Sequence, residues 1–207
     1  MSSIKSKPFK FAKLDLNYHF TRDFTSKEAF VFRAAVGQVL AYENSTIAPF
    51  TRRYFIGGAS ILRGFGFQSV GPGRNTSVQA NSTLANPIDQ AGDIRLLLNA
   101  EYRFPIYSVF RGAFFMDAGN VWLYREDIDI PGGTFGLDTF YKELAFNSGF
   151  GIRLDFSYVV LRGDIGIPLY TPYEVSGSRW IHQNPDPGLL NWASNNLILS
   201  GGIGYPF

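Results

Sequence analysis

Apolar and polar residues alternate along this chain with a period of two, which is the pattern of β-strands that have two different faces. Segment 95–105 shows it clearly, because its even positions are all apolar and its odd positions are mostly polar. The two sets are Leu96, Leu98, Ala100, Tyr102 and Phe104, and Arg95, Leu97, Asn99, Glu101 and Arg103. The same alternation occurs in 12–20, 29–42, 112–124, 146–158, 159–170 and 196–207. The chain is therefore predicted to contain seven strands.

The predicted strands are long, mostly about ten to fourteen residues. Strands in soluble sheets typically have about five or six residues, whereas a tilted transmembrane strand needs about nine to eleven. In a barrel embedded in lipid the apolar face points outward and the polar face lines the lumen. The pattern therefore predicts an all-β, antiparallel portion of a transmembrane β-barrel. A soluble antiparallel sheet with one solvated face remains the alternative.

The connections between the predicted strands are of two kinds. Those at 106–111 and near Tyr158 are short, whereas 43–93, 125–145 and 171–195 are long and rich in Gly, Pro, Asn and Ser. Outer-membrane barrels have short periplasmic turns and longer extracellular loops. We therefore expect a long extracellular loop at about 43–93, and a last strand that ends in the periplasm.

Composition and charge exclude several classes of function. The net charge of +2 does not indicate a nucleic-acid partner, and the absence of cysteine excludes disulfides and thiolate metal sites. Only His19 and His182 could supply imidazole ligands, so no metal and no cofactor are expected. No nucleophile elbow or phosphate-binding loop is present, which predicts a protein that is not an enzyme. Residues 1–8 lack the apolar core of a secretory signal peptide, so we expect no signal peptide in this chain.

The last residues resemble the C-terminal targeting signal of outer-membrane barrels, which ends on an aromatic residue in phase with the apolar face. The residues of this predicted signal are Leu197, Leu199, Ile203, Tyr205 and Phe207. An ordinary closing strand is the alternative reading of the same pattern.

Several motifs occur in the order found in one family of assembly barrels. They are Arg53-Tyr54-Phe55, Gly57-Gly58, Leu62-Arg63-Gly64-Phe65, Asn99 to Tyr102, Phe114 to Trp122, Gly149 to Arg153 and Leu161 to Leu169. Together they resemble the BamA/TamA-like outer-membrane proteins of the bacterial surface antigen family. The similarity extends over nearly the whole chain from about residue 10.

The resemblance implies that the loop folds back into the barrel, and that the arginine at its tip meets acidic residues of the inner wall. Arg63 would then contact Asp117, with Glu101 close by, and both acids fall on the polar face of adjacent predicted strands. The planar fork of arginine can hold a carboxylate through two parallel hydrogen bonds. Gly64 would allow a tight turn and Phe65 would pack against the wall. A solvated Arg63 is the alternative.

Four further charged residues fall on the lumen-facing positions of two neighbouring strands. They are Arg153, Asp155, Arg162 and Asp164. Their positions predict a ladder of ion pairs across the two strands. A solvated polar lining would give the same pattern.

Members of the family have sixteen strands, preceded by periplasmic POTRA domains, whereas seven strands are predicted here. Residues 1–207 are therefore interpreted as the C-terminal part of such a barrel. The resemblance implies an assembly, insertion or translocation factor that contacts outer-membrane lipids, client outer-membrane proteins and accessory assembly proteins. A passive pore or secretion translocator, or the membrane anchor of a larger enzyme, remains an alternative.

Overall fold

A computed structural model describes residues 10–43, 47–75, 90–156, 158–175, 177–181 and 196–207. The chain forms one antiparallel sheet, in which each strand from β1 to β6 pairs with the next, and β7 and β8 both pair with β6. The strands are β1 (Phe11–Thr25), β2 (Glu28–Ala41), β3 (Ile94–Tyr107), β4 (Phe110–Trp122), β5 (Ala145–Asp155), β6 (Val160–Val175), β7 (Ser178–Trp180) and β8 (Ile198–Ile203). The predicted all-β, antiparallel architecture is confirmed.

The seven predicted strands correspond to β1–β6 and β8, but several boundaries differ: β1 continues to Thr25 rather than residue 20, and β5 ends at Asp155 rather than residue 158. β6 continues to Val175 rather than Tyr170, because its end forms a hairpin with β7 inside the segment predicted as loop. β8 ends at Ile203 rather than at residue 207, because Gly204 adopts a φ of 84° and turns the chain out of the sheet. His182 lies outside the described residues.

Short turns join the strands at one end of the sheet. The hydroxyl oxygen of Thr25 accepts hydrogen bonds from the backbone N–H groups of Lys27 and Glu28, which closes the turn between β1 and β2. Ser108, with a φ of 52°, forms the turn between β3 and β4. The long connections all lie at the other end, as the sequence predicts.

The two faces of the sheet differ as the alternation predicts. Large apolar side chains are exposed on the outward face; they include Leu14, Leu16, Tyr18, Phe20, Val36, Tyr102, Phe114, Met116, Ile152, Leu161, Ile165, Leu199 and Ile203. Polar and charged side chains are buried on the inner face; they include Asn99, Glu101, Asp117, Asn147, Arg153, Arg162 and Asp164. A soluble sheet would bury the first set, yet Leu199 is 76% exposed. The outward face is therefore the membrane-facing side of a barrel wall.

The apolar core lies between the inner wall and the loop that follows β2. Its members are Ala35, Val39, Ala48, Tyr54, Ile56, Leu62, Phe65, Val70, Leu97, Val121 and Ala145. The inner wall is therefore not polar along its whole length. Near the long-loop end it offers a patch of small and branched apolar residues, against which the loop packs.

No helix in the described part of the chain is long and apolar enough to cross a membrane.

Candidate functional site

The loop between β2 and β3 folds back over the inner face of the sheet. Backbone bridges join Tyr54 to Gly92 and Ile56 to Val70, so the two arms of the loop run beside each other. Leu62, at the tip, is fully buried. Burial of apolar side chains on both arms holds the loop against the wall, and this positions the polar residues of the tip.

Arg63 lies at the tip and is 1% exposed. Its Nε and Nη2 atoms donate to the two carboxylate oxygens of Asp117 on β4, at 2.9 and 2.8 Å. Its Nη1 donates to Glu101 on β3, and its backbone N–H donates to Asp117 at 3.2 Å. The structure therefore brings Arg63 together with both acids that the sequence indicated. The Asp117 contact has the paired geometry in which guanidinium and carboxylate interact most strongly.

The ring of Phe115 lies under the Arg63 guanidinium, 3.6 Å from its central carbon to the ring centroid. Phe115 precedes Asp117 by two residues on β4, so both side chains point inward from the same strand. The ring face carries partial negative charge and attracts the cation. The guanidinium is thus bound at its edge by carboxylates and on its face by an aromatic ring.

The acids that bind Arg63 also bind arginines of the wall. Glu101 accepts hydrogen bonds from Arg103 at 2.8 Å and from Arg153 at 3.1 Å. Asp164 pairs with Arg153 and, at 2.8 Å, with Arg162. These contacts connect β3, β5 and β6 into one buried ionic cluster. The loop tip completes this cluster through Arg63.

The predicted four-residue ladder is only partly present. Arg153 lies directly opposite Arg162 in the register of β5 and β6, so these two like charges cannot pair and both turn toward Asp164. Asp155 is not part of this group. It pairs with Arg111 on β4 at 2.9 Å, because β4 flanks β5 on its other side.

Gly64 lets the loop backbone approach the wall closely. A Cβ atom at this position would lie 2.4 Å from the Cβ atom of Asn147 on β5. Opposite it, a Cβ atom on Gly166 of β6 would lie 2.4 Å from the carbonyl oxygen of Arg63. Both positions exclude any side chain. Phe65, as expected from the sequence, is buried in the core between loop and wall.

Sequence reasoning did not predict that three inward-facing wall residues, Arg33, Asn99 and Arg162, hold the loop tip. Arg162 donates to the carbonyl oxygen of Ala59 at 2.8 Å and to the hydroxyl of Ser60 at 2.7 Å. Arg33 on β2 donates to the carbonyl oxygen of Ser60 at 3.0 Å, and Asn99 on β3 donates to that of Ile61 at 2.8 Å. All three occupy inward positions of their strands, which was the available signal. Their targets are three backbone carbonyl groups and one serine hydroxyl of the loop, which a residue pattern does not indicate.

Tyr54 forms a second attachment, nearer the long-loop end. Its hydroxyl donates to Asp15 on β1 at 2.9 Å. Lys13 and Arg95 lie over its ring, at 4.2 and 4.8 Å from the centroid. Burial raises the pKa of the Tyr54 phenol above its ordinary value, and the hydrogen bond and negative charge of Asp15 act in the same direction. The phenol is thus held as a neutral donor.

The last residues of the chain do not follow the outward phase that the sequence predicts. Leu199 and Ile203 are exposed on the outward face, as expected. The ring of Tyr205, however, lies 4.0 Å from the Arg103 guanidinium, and the ring of Phe207 lies 5.6 Å from that of Arg63. The turn at Gly204 causes this difference, because it places both rings over inward-facing arginines. Leu197 precedes β8.

The arrangement holds the loop tip against the inner wall through buried ion pairs and hydrogen bonds. Within residues 10–43, 47–75, 90–156 and the shorter described segments, no group of three or more His, Asp or Glu side chains could hold a metal ion. The acids of the cluster are occupied by arginines. What the site can do is fix the loop tip to four wall strands.

Comparison with known proteins gives one matching family model and two similar solved structures. BamA from Haemophilus ducreyi lacking POTRA domains 1–3 matches with 17% identity and a TM-score of 0.61, over 94% of this chain and 35% of that one. CdiB from Acinetobacter baumannii matches with 18% identity and a TM-score of 0.48, over 84% of this chain and 26% of that one. No curated protein matches. The chain thus spans about a third of the BamA structure, and the likeness to BamA supports the barrel fold. A family model, the Omp85 superfamily domain, matches residues 3–181, and this chain belongs to that superfamily.

Proposed function

We propose that the protein containing this chain works in the bacterial outer membrane, where it inserts or translocates other proteins. Residues 1–207 would form the C-terminal part of its barrel domain. Membership of the Omp85 superfamily and the apolar outward face support this role. The observation that carries the proposal is the buried Arg63–Asp117 pair, because it fixes a long loop inside the barrel wall.

The proposed role of the loop is to brace the inner wall while the edge of the barrel changes its pairing. β8 is 6 residues long and pairs with β6 only from Gly166–Ile198 to Leu161–Ile203. A short edge strand exposes backbone groups that can pair with a strand of another protein. Within the described residues, the hydrogen bonds of the loop tip reach β2, β3, β4 and β6, and none reaches β8. The loop tip can therefore stabilise the wall without opposing rearrangement at the edge.

The proposed mechanism needs no covalent step and no cofactor. Client outer-membrane proteins would supply the strands that pair at the edge, and outer-membrane lipids would receive the inserted barrel. Accessory assembly proteins are further proposed partners, in keeping with the family. The edge of the wall contributes backbone hydrogen-bonding groups for the client strands, and the Arg63 cluster keeps the inner wall rigid.

The test is reconstitution of the full-length protein in liposomes with an unfolded client barrel. Protease-protected, folded client should accumulate faster than in liposomes without the protein. Arg63→Ala should slow this accumulation, whereas Arg52→Ala, on the same loop but outside the cluster, should not. Conductance measured on the same liposomes separates the alternatives. A large steady conductance with no client folding would indicate a passive pore and contradict the proposal.

A further inference from the structure

One charged residue interrupts the apolar outward face of the spanning strands. Arg22 on β1 shares its face with Phe20 and Phe24, and its register partner on β2 is Phe30. Elsewhere on the spanning parts of the described strands, outward positions hold apolar or uncharged residues. Glu28, at the turn itself, lines a cavity on the inner side together with Arg103. A lone arginine on a lipid-facing surface needs an explanation.

The depth of Arg22 in the bilayer keeps the free-energy cost of its lipid-facing charge small. A lipid-facing arginine costs about 2–4 kcal/mol at the bilayer midplane but only about 0–1 kcal/mol near the interface. Arg22 lies three residues before the end of β1, which is within about 10 Å of the short-turn end along the strand. Exposed aromatic residues mark the interface at this end; they are Phe24, Tyr107, Phe110 and Tyr158. The guanidinium is therefore at the level of the lipid headgroups.

A row of aromatic rings extends from Arg22 across the outward face. The Arg22 guanidinium lies 5.7 Å from the centroid of Phe24, and Phe24 lies 6.3 Å from Tyr102 on β3. The row continues through Phe104 to Phe114 on β4. Beside it runs a shallow, mostly apolar groove of about 240 Å³; its outward lining includes Phe30, Tyr102, Phe114 and Met116. The cation thus stands at one end of an apolar channel.

No hydrogen bond or ion pair joins Arg22 to any other residue in the portion of the chain that the structure describes. Its guanidinium has five N–H donors, and only the face of Phe24 is engaged. Arginine binds phosphate through two parallel hydrogen bonds, and basic side chains at the membrane surface attract anionic headgroups. The free donors therefore match a phosphate group in charge and in geometry.

We propose that Arg22 and the adjoining groove form a binding site for one anionic phospholipid of the leaflet at the short-turn end. The guanidinium binds the headgroup phosphate, and an acyl chain lies along the groove. The choice of occupant follows from charge complementarity and from the continuity of the groove with the lipid-facing surface. The site depends on the barrel facing lipid, and it is independent of the assembly activity proposed above.

The experiment measures local lipid preference in the full-length protein. Phe20→Trp places a fluorescent reporter on the same face, two residues from Arg22. The protein is reconstituted in phosphatidylcholine with a fixed fraction of either brominated phosphatidylglycerol or brominated phosphatidylcholine. Quenching of the tryptophans already present is measured in the protein without Phe20→Trp and is subtracted. We expect phosphatidylglycerol to associate at the reporter about five-fold more strongly, since one basic side chain near the surface contributes about that factor.

Three variants in the reporter background test the cause. Arg22→Gln should abolish the preference for phosphatidylglycerol, and Arg22→Lys should retain part of it because the charge remains. Arg125→Gln removes the same charge from the long-loop end and should leave the preference unchanged. The preference should also weaken with added salt.

Equal quenching by the two lipids in the reporter protein would overturn the proposal, and so would a preference that survives Arg22→Gln. A loss of thermal stability in Arg22→Gln without any lipid preference would also overturn it, and would indicate that Arg22 pairs with another side chain of the full-length protein. Should Arg22→Gln fail to fold, the preference of the reporter protein and its dependence on salt still decide the question.

Discussion

Replacing Arg63 by alanine is expected to release the loop tip from the inner wall. The substitution removes two hydrogen bonds from Asp117, one from Glu101, and the cation over Phe115. Glu101 keeps Arg103 and Arg153 as partners. Asp117 keeps the side-chain amides of Asn99 and Asn147 and, while the tip stays docked, the backbone N–H of residue 63, so its charge is left buried without a cation bonded to it.

Removing one partner of a buried ion pair costs about 3–5 kcal/mol. Asp117 and Arg63 are each 1% exposed, so solvent screening does not reduce this value much. If the cost falls on the docking equilibrium of the loop, the population of the undocked loop should rise by about 10² to 10⁴-fold. The hydrogen bonds from Arg33, Asn99 and Arg162 to the tip backbone remain. We therefore expect the increase in the undocked population to fall near the lower end of this range.

The assay uses the absence of cysteine from the chain. Leu62→Cys places one thiol at a fully buried position of the tip, where a maleimide reacts only after the loop undocks. Labelling rates are compared with and without Arg63→Ala. A second comparison adds Asp117→Asn, which removes the stranded charge. The double replacement should label more slowly than Arg63→Ala alone.

The control is Arg52→Ala, which removes an arginine side chain of the same loop whose one contact among the described residues is with the ring of Phe11, at 5.9 Å. Its labelling rate should match that of the protein carrying Leu62→Cys alone. A rate within three-fold of that reference for Arg63→Ala would refute the reasoning, because the buried pair would then contribute little to docking.

Three further predictions concern neighbouring contacts. Gly64→Ala should raise the same labelling rate at least ten-fold, because its Cβ atom would meet Asn147, whereas Gly163→Ala, with nothing within 4 Å of the added atom, should not change it. Arg162→Ala should raise the rate about ten-fold through the loss of its bonds to Ala59 and Ser60, with Arg111→Ala, outside the cluster, as the control. The raised pKa of Tyr54 predicts that the stabilisation from its neutral phenol is complete below about pH 10 and is lost as the pH rises through the folded pKa. Tyr54→Phe should lack this alkaline loss, as measured by denaturant unfolding at pH 8 and pH 11, and an identical loss in both proteins would contradict the assignment.

The strands were predictable because their alternation reports two different environments. Even and odd positions of β3 separate lipid-facing from inward residues, and the structure has the same separation. β7 was not predictable, because a three-residue strand carries too little alternation to detect. The early end of β8 depends on the backbone of Gly204, and the apolar pattern continues through Tyr205 and Phe207 regardless.

The sequence predicted the arginine and the acids of the candidate site, but it predicted less well which charged residues pair with each other. Strand phase placed Glu101 and Asp117 on the inner face, and the resemblance to assembly barrels supplied Arg63 as their partner. The ladder was misassigned at Asp155, because phase gives the face of a residue but not which neighbouring strand supplies its counter-ion. The contacts of Arg33 and Arg162 with the loop backbone depend on its folded path, which a one-dimensional pattern does not contain.

Carboxylates are the scarce component of the buried ionic cluster. Glu101 serves Arg63, Arg103 and Arg153, and Asp164 serves Arg153 and Arg162, while the Nε atoms of Arg153 and Arg162 find no acceptor. Losing one wall arginine leaves each acid with another cation, but losing Glu101 removes a carboxylate from three guanidinium groups at once and leaves Arg103 without its ion pair. Substitutions should therefore be tolerated more readily at the basic positions of the wall than at this single glutamate.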